Sequence, residues 1–223
     1  MRPLRLACGW LPLAASLLQA GPVHYEVLFK GAAVATQTVT VAEADGVVSV
    51  RSAFAADLPV FVARHHFEED LSVRFQPDGT VLQIDARRAD GPLAVEIRAV
   101  TTDDGSLQVV RSDRQETSTN LIRRQDYDFN SLVLYGTAPE KFLPTNSPAR
   151  VLDVAEGRVV PITLLTISEN DTYERQRLAS QHLVWTAGDF ISHSWHPERF
   201  GDLPRRYIRH TENGEFVFNL LPK

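Results

Sequence analysis

Two short histidine-rich stretches hold the side chains best suited to chemistry. One is Arg64-His65-His66-Phe67-Glu68-Glu69-Asp70 and the other is His193-Ser194-Trp195-His196-Pro197. Imidazoles and carboxylates ligate transition metals, and an imidazole beside a carboxylate is a common acid–base pair. Spacing limits both stretches. Neighbouring residues of an extended chain point to opposite faces, so His65 and His66 cannot hold one ion unless a bulge intervenes, whereas His66 and Glu68 share a face. His193 and His196 would share a helix face but fall on opposite faces of a strand, which Pro197 then ends. A multi-histidine site would need His182 and His210 from other strands. The simpler reading is a solvated strand end running into a turn for the first stretch and separate, partly exposed imidazoles for the second. Neither is assigned as a metal site.

Other polar groups point the same way. Asp126 and Asp128 flank Tyr127 on one strand face, and paired carboxylates can do acid–base work when burial drives their pKa values apart. Arg123 and Arg124 lie just upstream, so structural ion pairing is the simpler role. Ser131 and Ser194 have no recognisable base nearby, and no Gly-x-Ser-x-Gly elbow, phosphate-binding glycine loop or zinc-protease helix occurs. Arg205-Arg206-Tyr207 with Arg209 is a basic aromatic run suited to an anionic surface, yet on a strand Arg206 and Tyr207 face opposite ways. No catalytic residue and no cofactor is assigned.

The elements that would carry these groups are strands. Leu71, Val73 and Phe75 alternate with Ser72 and Arg74. Leu82, Ile84 and Ala86 alternate with Gln83 and Asp85, and Leu93, Val95, Ile97 and Ala99 with Glu96 and Arg98. Such alternation marks antiparallel strands with one buried face. Asp45-Gly46, Asp78-Gly79, Asp90-Gly91, Asp104-Gly105, Glu156-Gly157, Gly188-Asp189 and Asn213-Gly214 punctuate it as turns. The fold class is therefore all-β: a single antiparallel meander, forming a strongly curved sheet or an open half-barrel, with at most one or two short helical turns. Val159–Ile167 is apolar on both faces and reads as a strand covered on both sides. Residues 136–150 contain Pro139, Pro144 and Pro148 and read as a loop inside the domain, with Phe142 and Leu143 plugging an end of the sheet or hinging a lid.

Residues 1–20 read as a secretory signal peptide: Arg2 and Arg5, an apolar run from Leu6 to Leu18, and cleavage after Ala20. Residues 21–223 then form one β domain. Cys8, the single cysteine, lies in the leader, and Arg5 three positions upstream argues against lipidation there. Without the leader the chain has 21 basic and 28 acidic residues, a net charge of about −7, which argues against nucleic acid as a partner. No segment reads as a membrane-spanning helix. An outer-membrane barrel is disfavoured by the sparse Tyr and Trp and by the Pro222-Lys223 ending.

Tyr25-Glu26-Val27-Leu28-Phe29-Lys30-Gly31, Ala35-Thr36, Asp126-Tyr127-Asp128-Phe129-Asn130-Ser131-Leu132, Val151-Leu152-Asp153, Gly157-Arg158-Val159 and Leu183-Val184-Trp185 occur in an order that is familiar. The chain resembles a group of uncharacterised exported bacterial proteins, domains of unknown function. Their plan is similar to the open β half-barrels that carry lipoproteins across the periplasm. The resemblance implies a curved antiparallel sheet and an envelope location, and brings no catalytic residues.

Three functional readings follow. The preferred one is a periplasmic or secreted carrier whose concave face takes an apolar small molecule or lipid, with Phe54, Phe61, Phe75, Trp185 and Trp195 as ligand-binding residues and Phe67 beside them. The alternatives are an envelope hydrolase using His and Asp/Glu at the sheet mouth, and an interaction protein that offers an edge strand.

Overall fold

The computed structural model describes residues 18–19, 21–60, 63–132, 148–173, 176–187, 190–197, 203–211 and 214–222. Phe61, Phe142, Leu143 and Gly188-Asp189 lie outside them.

Among the described residues the chain is one sheet of sixteen strands. In order they are β1 (Leu18–Gln19), β2 (Val23–Phe29), β3 (Ala32–Ala44), β4 (Val47–Val60), β5 (Ala63–Phe75), β6 (Val81–Asp90), β7 (Leu93–Thr101), β8 (Leu107–Asp113) and β9 (Thr117–Ile122). There follow β10 (Phe129–Asn130), β11 (Pro148–Asp153), β12 (Arg158–Tyr173), β13 (Gln176–Ala187), β14 (Phe190–Pro197), β15 (Arg206–Thr211) and β16 (Gly214–Leu220). The helical content described is one 3₁₀ turn, Arg124–Asp126.

Almost every strand pairs antiparallel with its chain neighbour, as alternation and tight turns dictate. The exceptions decide the shape. The last strand, β16, pairs with β2, so both chain ends lie mid-sheet and two meander arms meet there. The outermost strands, β9 and β10, are consecutive in the chain but do not pair, so the sheet does not close. β10 instead runs parallel to β11. The short β1 pairs with Ala42 and Glu43 of β3.

The turns follow from the residues. Asp45 and Gly46 both adopt positive φ, 53° and 72°, as a two-residue hairpin with the right-handed twist requires. Lys30 and Gly31 do the same at 50° and 80°, a hairpin between β2 and β3 that the Lys-Gly pair does not advertise.

Side chains of one parity meet inside. Tyr25, Val27 and Phe29 of β2 join Phe54 of β4, Phe67, Val73 and Phe75 of β5, Ile84 of β6, Ile97 of β7 and Phe216 and Phe218 of β16 in one core. Three sequence expectations are corrected. The loop read over residues 136–150 does not extend to Arg150, because Pro148 opens β11 as its first residue, a strand position that proline tolerates. β12 is not covered on both sides, because Leu165 on its outer face is 45% exposed. The Arg64–Asp70 stretch is not a strand end, because β5 continues to Phe75.

Candidate functional site

The interior is aromatic at its centre. The Phe54 and Phe67 rings stack with centroids 5.3 Å apart, Phe218 meets Phe54 edge-on at 5.6 Å, and Tyr207 stacks on Phe218 at 4.0 Å. A polar strip runs beside them. The Tyr207 hydroxyl donates to Gln37 Oε1, and Gln37 Nε2 donates to Ser52 Oγ at 2.7 Å. The Tyr25 hydroxyl donates to the Pro204 carbonyl at 2.7 Å.

An ionic cluster also occupies core-parity positions. Glu69 of β5 is 2% exposed and accepts from Arg209 Nη1 at 2.9 Å across the interior, with Arg209 also over the Phe218 ring. The turn between β11 and β12 tucks in beside it. Glu156 of that turn accepts from Arg88 Nη1 at 3.1 Å and lies 3.7 Å from Arg111. Burial pushes the neighbouring Asp153 carboxyl above the usual carboxylate range, and the Glu156 charge adds to the shift. Gly157 ends the turn at φ 63°, where a Cβ would stand 2.9 Å from side-chain carbons of Ile97 and Val109.

The sequence-derived residues divide between the faces. Phe54, Phe67 and Phe75 are buried in the core, and Trp185 packs half-buried against it. Trp195 faces outward, opposite Arg206 and beside His182. His65 and His66 fall on opposite faces: His65 meets Asp90 inside, while His66 Nδ1 lies 2.9 Å from Asp57 outside. His193 faces out and His196 in. Asp126 and Asp128 do not share a strand face, because the chain makes the 3₁₀ turn to leave β9. Asp126 accepts from the Arg123 amide, and Asp128 pairs with Arg150 at 3.2 Å rather than with Arg123 or Arg124. The Arg124 guanidinium donates instead to the Tyr127 and Asp78 carbonyls.

Two arrangements escape the sequence reading. Ser194 Oγ and His196 Nε2 lie 3.0 Å apart, a nucleophile–base distance. Alternation allowed this, since residues two apart on a strand share a face. The pair is 2% and 0% exposed, sealed from any substrate as it stands. The second is on the outer face. Leu165, Val184, His193, Ile208, Val217 and Leu28 follow one another in register across β12 to β16 and β2. Cross-strand register sets this row, which no single stretch of sequence displays.

No protein-family model matches the chain, and comparison with curated proteins finds no match. Among solved structures the chain is similar to a β-barrel-like protein of a domain of unknown function, DUF1849, from Brucella abortus. The TM-score is 0.61 at 10% identity, over 90% of this chain and 95% of that one. The likeness is one of fold. This chain is a β-barrel-like, predominantly antiparallel domain whose sheet stays open. No helix among the described residues is long and apolar enough to cross a membrane.

Proposed function

We propose that the protein is an exported envelope module that binds an apolar or lipid-like ligand on the inner side of its open sheet. The observation that carries this is the unclosed sheet with an apolar inner face: β9 and β10 end the sheet without pairing to each other, beside a continuous hydrophobic interior. Phe54, Phe67 and Phe75 are already packed, so they form the floor of the site. The half-buried Trp185 is its accessible aromatic. Export rests on the leader sequence, whose cleavage after Ala20 removes β1 and leaves β2 as the first strand.

Native mass spectrometry of residues 21–223 purified from a bacterial periplasm tests the reading. A reproducible added mass that is lost on denaturation and fragments as a lipid supports it. A bare chain that also leaves Trp185 emission unchanged on titration with phospholipid or fatty acid sinks it.

The Ser194–His196 contact is what supports a second reading, an envelope hydrolase, which requires an opening motion that exposes the sealed pair. It predicts labelling by a fluorophosphonate that S194A abolishes, and intact protein that resists the probe removes it.

A further inference from the structure

The outer face of β13, β14 and β15 gathers three imidazoles that take no part in the interior. His182 Nε2 and His193 Nδ1 stand 3.0 Å apart, with their rings stacked at 5.2 Å. Two imidazole nitrogens on one tetrahedral ion, each bonded at about 2.0–2.1 Å, are separated by roughly 3.3 Å. The pair therefore needs to open by roughly 0.3 Å to chelate. His210, on the next strand, lies beyond His193 at 5.7 Å between ring centroids, and its Nδ1 is 3.7 Å from Glu215. Trp195 stacks on His182 at 4.3 Å and 12°, which holds that ring's plane.

In their present rotamers no three His, Asp or Glu side chains converge on one point among the described residues. The His182 and His193 nitrogens share a 3.0 Å hydrogen bond that an ion would replace, and rotation of His210 about its side-chain bonds brings a third imidazole toward them. We infer that His182 and His193, completed by His210 and solvent, bind one divalent transition ion of the zinc, nickel and copper class. An all-imidazole set suits these ions and not calcium or magnesium, which take oxygen ligands. Ligation needs neutral rings.

The test is isothermal titration of the metal-stripped full chain with zinc and with nickel chloride at neutral pH. One ion per chain is expected. H182N/H193N should weaken binding by about 100-fold, H210N by about 10-fold, and H65N, on the inner face, should leave it unchanged. Nickel should quench tryptophan emission, with the saturable part of the quench absent in W195F, a readout that keeps both rings in place should the double variant fail to fold. Absence of saturable one-site binding overturns the inference, as does binding that survives in H182N/H193N while circular dichroism shows the native sheet.

Discussion

The Arg209–Glu69 pair is the clearest case of one side chain holding another in place. Glu69 is almost wholly buried, so Arg209 is what makes its charge tolerable inside. R209A should cost about 3–5 kcal/mol in urea unfolding, because it strands a buried carboxylate, whereas E69Q/R209M should recover most of that loss. Asp153 behaves oppositely. Its folded pKa is raised by burial and by Glu156, so the protonated form suits the fold. Its contribution is fully present below the unfolded carboxylate pKa and is lost as pH rises through the folded one. D153N keeps the oxygen that accepts from the Ala155 amide and removes the charge. It should raise Tm at neutral pH and leave it unchanged below the unfolded carboxylate pKa.

At the scale of elements, the β11–β12 turn matters more than its length suggests. It carries Gly157 onto Ile97 of β7 and Val109 of β8, and Glu156 onto Arg88 of β6 and Arg111 of β8, where one arm of the meander meets the other. G157A faces both a positive φ and contacts inside van der Waals distance. It should cost about 2–4 kcal/mol, roughly the sum of backbone strain and overpacking. Equilibrium denaturation measures the loss, and amide exchange should rise first at β11 and β12. A variant as stable as the parent would mean that the turn does not lie against Ile97 and Val109.

For the molecule as a whole, the β16–β2 pairing joins the arms. Phe216 and Phe218 bring rings from β16 into the aromatic centre alongside β2 and β4. Deleting residues 214–223 removes this bridge and should abolish the cooperative thermal transition. The milder F218A should cost about 3–5 kcal/mol while leaving one transition. Two separate transitions in F218A would show that the arms fold as independent units. Long-range pairing of the first and last strands also predicts slow folding, since chain closure precedes most of the contacts that reward it.

Local residue order was enough to specify the strands, most hairpins and the buried parity, because alternation and positive-φ turns act over a few residues. Tyr25, Phe54 and Phe75 could be placed in the core, and His65 and His66 on opposite faces, without knowing any partner strand. Core parity also contained Glu69, Arg88 and Arg111 in plain sight, but their burial makes sense only once Arg209 and Glu156 arrive from the far arm. Trp195 was assigned to the concave face by its type, whereas strand parity with Ser194 and His196 turns it outward. The sequence allowed an open half-barrel and named His182 and His210 as possible partners of His193, but the place of the seam, the β16–β2 join and the distances among the three imidazoles lay beyond it for one reason. Each depends on which strands pair and in what register, and cross-strand register is set by the whole sheet, not by any segment of it.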